Sequence, residues 1–379
     1  MAKQKPAARA TSDGQAENAL RSRFRSITIK DVAQRAGVSR ITAARILSGN
    51  PNYPASPETV EKVRNAAREM NYQPNPFAQS LGRRRSHIVG LCVHQDATVG
   101  ERVSHSEYLV HLDPHIAGIH SHPEAARYSV MVIRRDDADP ELEANLRQKL
   151  RYLDGLIYVT PRQLHLPILT RIADSMPLVL ENAPDVKGIN TVSVDEHGII
   201  ADAVRLLVQR GCRKLGLITW GAQDICANVS RSRAFRKALK SLGLPLSDEQ
   251  VALGNSRFQT RGVMRDMLQR VPDLDGIIVP RDSALSNAIE ELRLCGRQVG
   301  RDLAIISIVE TSLCSLLQPS ITAIHFPFDL LANRAFDLLL QTIEGKLTRS
   351  KRLLIPAVIN ERDSTRLFSE ARARRLVAT

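Results

Sequence analysis

The sequence predicts a small all-α head carrying a helix-turn-helix, followed by a larger α/β body of two lobes with parallel sheets. Three observations predict it. Charge is uneven: residues 1–87 hold 16 Lys and Arg against 6 Asp and Glu, whereas the remaining 292 hold 37 against 34. Two short helical patterns after Thr28 are separated only by a tight Gly-Val turn. From residue 88 onward, short apolar runs alternate with helical patterns, which is the signature of a parallel sheet covered by helices. A strongly basic head on a nearly neutral body is the asymmetry of a nucleic-acid-binding module joined to something else.

The first 26 residues are polar and aperiodic and read as a disordered basic arm; Asp13 and Glu17 interrupt any transit-peptide pattern. Thr28-Ile29-Lys30-Asp31 has capping-box form and opens the first helix, which Gly37 ends. Ser39 caps the second helix, "RITAARIL", whose Ile41, Ile46 and Leu47 are expected to face inward. Its small residues and its arginines, Arg40 and Arg45, suit close approach to a negatively charged groove. Ser56-Pro57 starts a third helix running to about Met70, with Val60, Val63, Ala67 and Met70 at helical spacing. In "NPFAQSLGRRR" (residues 75–85), Asn75 and Pro76 open a short helix that needs a partner or DNA to order it.

The stretches "ITIKDVAQRAGVSRITAARILSGN" and "VEKVRNAAREMNYQPNPFAQSLGRRRSHIVGL" closely resemble the lactose/galactose-repressor family of bacterial transcription regulators. The resemblance implies a homodimer on a palindromic double-stranded operator, with the second helix in the major groove. Base contacts would then come from Arg40, Ile41 and Arg45, and phosphate contacts from Ser39 and Thr42. Thr28 and Asn75, at helix starts, join the expected DNA-binding set. Leu81 matches the leucine that paired linker helices push into the minor groove, and Arg83, Arg84 and Arg85 follow it towards the phosphates. Ala44 stands where the family often has serine.

In the body, strands are expected at Ile88–Val93, Ser129–Ile133, Leu156–Thr160, Leu178–Leu180, Thr191–Val194, Leu215–Thr219, Ile277–Val279 and Ala304–Ile308. Helices are expected at Gly198–Gln209, Arg231–Leu242, Ser283–Leu294 and Asp329–Glu344. Nearly 280 residues should divide into two such lobes with a cleft between them. The resemblance implies a periplasmic-binding-protein-like pair of lobes that closes on a small-molecule effector, sugar-like or sugar-acid-like. By the family's pattern the effector would meet Arg231, four positions before the aromatic Phe235, and Asp282. Arg281 departs from the family's asparagine, and Glu310 is only approximately placed.

The expected division is an arm (1–26), a helix-turn-helix domain (27–73), a hinge helix with basic linker (74–87), a two-lobed effector-binding and dimerisation domain (88–365), and a frayed tail (366–379). No G-x-S-x-G elbow, P-loop or G-x-G-x-x-G occurs, and Asp154-Gly155 and Asp275-Gly276 are turn residues, so neither an enzyme nor a cofactor is expected. Cys92, Cys212, Cys226, Cys295 and Cys314 form no C-x-x-C pair, which fits a reducing cytoplasm, near the nucleoid for a DNA binder. No apolar run approaches the ~20 residues that span a bilayer, so no membrane partner is expected. The alternatives are an enzyme built on the α/β body, and a metal-responsive regulator using the histidines between His94 and His122. There His111 and His115 are four apart, but Pro114 between them should break a continuous helix, so Asp113-Pro114 is expected to start one.

Overall fold

The computed structural model describes residues 27–48, 53–73, 85–94, 105–137, 139–184, 186–254, 257–280 and 282–377, the side chains of 105–111, 257–259, 282–283 and 372–377 excepted. The chain divides into two compact units at Ser86/His87.

In the first unit, α1 (Ile29–Ala36), α2 (Arg40–Leu47) and α3 (Pro57–Glu69) pack round one small core. Thr28 and Asp31 complete the capping box of α1, and Gly37 ends the helix at φ 69°, a conformation that a Cβ disfavours. Ser39 caps α2, and Ser56 with Pro57 starts α3. Val32, Ala33, Ala43, Ile46, Val63, Ala66 and Ala67 are buried. Ile41 is not among them. Expected to face inward, it is 61% exposed, because the inward positions of α2 are Ala43 and Ile46, three apart on the opposite face.

The second unit begins with β1 (Ile88–His94), α4 (His105–His120), β2 (Ser129–Arg135), α5 (Leu142–Leu150), β3 (Gly155–Val159), α6 (Leu166–Ala173), β4 (Leu178–Glu181) and β5 (Asn190–Val194). It continues through α7 (Glu196–Gln209), β6 (Leu215–Trp220), α8 (Cys226–Ser241), β7 (Val251–Gly254), α9 (Arg257–Arg270), β8 (Gly276–Val279), α10 (Asp282–Leu294) and β9 (Ala304–Ser307). It ends with α11 (Ser312–Leu316), β10 (Thr322–His325), α12 (Phe328–Ile343), β11 (Arg352–Ile355), β12 (Val358–Asn360) and α13 (Asp363–Val377).

Two six-stranded sheets result. The first, ordered β11-β5-β4-β3-β1-β2, is parallel throughout. The second, β12-β10-β9-β8-β6-β7, is parallel except for the β10/β12 pair. The chain therefore leaves the first lobe after β5, returns after β10 to lay α12 on β3, β4 and β5, and leaves again between β11 and β12. One apolar cluster runs through both lobes, from Val192 and Phe336 to Phe235, Ile306 and Phe326. Each lobe has a second cluster on its other sheet face.

Two further expectations are corrected. Helix α4 runs unbroken from His105 through Pro114 to His120. Proline removes one backbone donor and displaces one carbonyl, and the packing of α4 along α12 outweighs that local cost. Gly118 makes this packing close, since a Cβ there would overlap the carbonyl of Asp329. The tail is likewise ordered into α13. Its apolar spacing is weak, but Phe368 is buried, and Ser364 Oγ donates to the Ile305 carbonyl at 2.6 Å and accepts from the Thr322 amide at 2.9 Å.

Candidate nucleic-acid interface and inter-lobe site

The outward face of α2 is built by its cap and its core. Ser39 Oγ accepts from the Thr42 amide at 3.0 Å and lies 2.8 Å from Thr42 Oγ1, which fixes the first turn. With Ala43 and Ile46 buried, Arg40, Ile41, Ala44 and Arg45 stand exposed together. Thr28 is exposed at the start of α1, its hydroxyl 2.7 Å from Asp31 Oδ2. Sequence reasoning did not single out Tyr53, which joins this face: its Oη is 3.1 Å from Thr42 Oγ1, and the Arg45 guanidinium lies 5.2 Å from its ring centroid. Arg85 is partly buried. Asn75, Leu81, Arg83 and Arg84 lie outside the described residues.

In the second unit, polar side chains gather at the carboxyl ends of the strands. Arg135, at the end of β2, is wholly buried; its guanidinium lies 4.3 Å from the Tyr158 ring centroid. It donates to Asp137 Oδ1 at 2.8 Å and to the Thr160 carbonyl at 2.7 Å. Asp137 also meets His94 at 3.1 Å. Burial opposes ionisation of Asp137, but His94, Arg135 and His165 outweigh it and hold the carboxyl down at about 2. His165 is buried against the Tyr158 hydroxyl at 3.0 Å, and burial lowers its imidazole to about 4.

The turns after β3 and β6 meet across the lobes. Gln163 donates its amide to the Asp224 carbonyl at 2.8 Å, and Cys226 donates to the Pro161 carbonyl at 3.0 Å, forming an antiparallel bridge at Arg162 and Ile225. The carboxyl ends of two strands from different sheets thus face one another.

Arg231, in α8, holds both oxygens of Glu196 at 2.7 and 2.8 Å, and its guanidinium lies 5.7 Å from the Phe326 ring centroid. A carboxylate of the chain itself therefore occupies the fork of the Arg231 guanidinium. Phe235 is buried in the shared core. Glu310 is engaged by Arg362, by Asn360 at 2.7 Å and by His325 at 3.1 Å; burial opposes, but the Arg362 and Asn360 hydrogen bonds lower its carboxyl. Arg281 lies outside the described residues, and Asp282 is described only as the first residue of α10.

The histidines of the 94–122 segment go separate ways. His94 meets Asp137, and His115 meets the fully buried Glu181 at 2.6 Å while stacking on Phe328. His122 lies 3.6 Å from Asp337 and edge-on to Phe336. Among the described residues no group of three or more His, Cys, Asp or Glu is placed to hold a metal ion. No described helix is long and apolar enough to cross a membrane.

Comparison with known proteins agrees with this architecture. Residues 28–75 match the model of bacterial regulatory proteins, lacI family, and residues 204–365 match that of the periplasmic binding protein-like domain. The HTH-type transcriptional regulator CelR of Thermobifida fusca is 27% identical over 360 residues, covering 90% of this chain and 99% of its own. A solved transcriptional regulator CelR–cellobiose complex aligns with TM-score 0.65 at 25% identity, over 89% of this chain and 99% of that one. The lac repressor dimer bound to operator and an anti-inducer aligns with TM-score 0.75 at 23% identity, over 90% and 99%. Helix-turn-helix head and two-lobed body occur together in one sequence, and the chain belongs to the lacI family of bacterial regulatory proteins.

Proposed function

We propose that the protein is a transcriptional repressor that binds a two-fold symmetric operator as a homodimer, under the control of a sugar-like or sugar-acid-like effector held between the lobes. The observation that carries this reading is the outward face of α2, where Arg40, Ile41 and Arg45 are exposed on a capped, well-packed helix. Arginine forks match the paired acceptors of guanine in the major groove, and the neighbouring Ala44 leaves room to approach them. Ser39 and Thr42 at the amino end of α2 suit phosphate oxygens. A symmetric dimer places two such helices on half-sites about one helical turn, or multiples of one, apart.

Residues 74–87 act as the hinge, with Asn75 starting a short helix, Leu81 as the minor-groove wedge and Arg83 to Arg85 on the phosphates. Residues 1–26 remain a basic arm, and 88–365 form the effector and dimer domain. Effector control is supported by a relative solved with cellobiose and another with an anti-inducer on its operator. The effector would meet Arg231, Asp282 and Arg281, with Glu196 the group it must displace or join. The chain acts in the cytoplasm, at the nucleoid, without cofactor and without catalysing a reaction. Its buried ionisable groups pair with one another, as Arg135 does with Asp137 and His115 with Glu181.

Selection of duplexes from a random-sequence library by the full chain tests the reading. A shared palindromic motif, bound with an affinity that falls steeply with salt, is the expected result. Recovery of sequences with no two-fold symmetry refutes it.

A further inference from the structure

We propose that Tyr53 is the positioning residue for Arg45, holding its guanidinium ready on the operator-facing side of α2 without taking a hydrogen bond from it. The inference rests on reading α2 as the recognition helix. Tyr53 is not in that helix. It lies in the connection to α3, packs partly buried against the core of the head, and reaches α2 by two contacts.

The first contact is a hydroxyl relay. Tyr53 Oη is 3.1 Å from Thr42 Oγ1, Thr42 Oγ1 is 2.8 Å from Ser39 Oγ, and Ser39 Oγ caps the helix. The ring is thereby fixed relative to the first turn of α2. The second contact is the ring face itself. Arg45 stands three residues beyond Thr42, on the same side of the helix, with its guanidinium 5.2 Å from the Tyr53 centroid.

How Arg45 is held matters as much as that it is held. Arg35, in α1 of the same head, donates to Glu69 at 3.0 Å, which consumes a donor and offsets its charge. No carboxylate among the described residues is paired with Arg45. A π face attracts the cation without accepting a hydrogen bond, so the fork keeps both its charge and its five donors. The free side chain loses rotamer freedom before binding, so less is lost at the interface. Arg40 has no such ring partner among the described residues, so the two exposed arginines of α2 are supported differently.

The test is a double-mutant cycle in the full chain, on the duplex that the wild type selects from a random-sequence library. Tyr53→Leu keeps an apolar group against the core but removes ring and hydroxyl; Tyr53→Phe keeps the ring. Tyr53→Leu is expected to weaken binding to the selected duplex about three- to tenfold, the range to which a cation–π contact converts. Its preference at one base pair should relax, while binding to a scrambled duplex stays unchanged. In an Arg45→Ala background the same change should cost less than about twofold, and Tyr53→Phe should retain the wild-type preference. Head-domain melting is recorded for each variant. An equal loss in both backgrounds means that Tyr53 only supports the fold, and so overturns the proposal, as does a Phe variant that relaxes the preference as far as Leu does. If the wild type selects no common sequence, the recognition-helix reading fails instead, and the role of Tyr53 falls with it.

Discussion

Arg162, in the turn after β3, donates from Nε to Oδ1 of Asp224, in the turn after β6, at 2.8 Å. The pair joins the two lobes at a point far along the chain from the crossings after β5 and β10, and it flanks the two backbone hydrogen bonds of Gln163 and Cys226. Both side chains are partly exposed, which limits such a pair to about 1 kcal/mol. Asp224→Ala should therefore raise the hydrogen-exchange rates of the Gln163 and Cys226 amides about two- to fivefold and leave α3 of the head unaffected. Unchanged protection at both amides would show that the backbone bridge holds the lobes without the ion pair.

His165 makes stability depend on mild acid. Its folded imidazole is held down to about 4 by burial, with Asp137 pulling the other way, while in the unfolded chain it takes up a proton near 6.5. The folded form thus resists protonation. Its contribution is complete above pH 6.5 and drains away as pH falls from 6.5 towards 4, by about 2 kcal/mol at pH 5. Asp137, held at about 2 against an ordinary 3.8, adds a loss only below pH 3.8. Melting curves at pH 7.5 and 5.0 should converge for His165→Gln relative to the wild type. An identical pH dependence in the two proteins would place the sensitivity elsewhere.

Gly118→Ala should destabilise the body by about 1–3 kcal/mol, because its Cβ meets a backbone carbonyl of Asp329 that cannot rotate away. Asn333 Nδ2 also donates to the Gly118 carbonyl at 3.3 Å, so moving the helix would strain that bond too. Denaturant unfolding of the body measures the change. A loss under ~0.5 kcal/mol would mean that α4 and α12 separate freely.

Leu81→Ala should leave the body folded and its unfolding midpoint unchanged, while operator affinity and the operator's bend both fall. Non-specific binding through Arg83 to Arg85 should persist with its salt dependence. Circular-permutation mobility of the operator reads the bend. A normal bend alongside a lowered head melting temperature would make Leu81 a core residue.

The head was legible almost to the residue, because its signals are local: Thr28, Gly37, Ser39 and Ser56-Pro57 act within four positions. The eight strands with strong apolar runs were legible for the same reason. The four others, β7, β10, β11 and β12, were not read from the sequence; β11, for one, is set by pairing with β5, 161 residues earlier. Ile41 misled because an isoleucine in a short helix reads as core, whereas a recognition face needs it outside. The inter-lobe site was the least legible. "IRRDDADP" looks like a solvated loop, yet Arg135 is buried because parallel pairing sets β2 beside β1 and brings Thr160 and Tyr158 beneath its guanidinium. Likewise Arg231 finds Glu196 across 35 residues, and no spacing rule covers that pair.

The interleaving of the lobes bears on how the chain is made. The first five strands of the first lobe emerge from the ribosome by residue 194, but α12, which covers β3, β4 and β5, ends at Ile343, and the edge partner of β5 ends at Ile355. For some 150 residues of synthesis that lobe carries an uncovered apolar face and an open strand edge, both invitations to misassociation. The head, whose three helices are contiguous, has no such wait. During translation a DNA-binding module can therefore be finished while the part that regulates it is still incomplete, and premature termination after the head but before about residue 355 would release a head attached to an unfinished body.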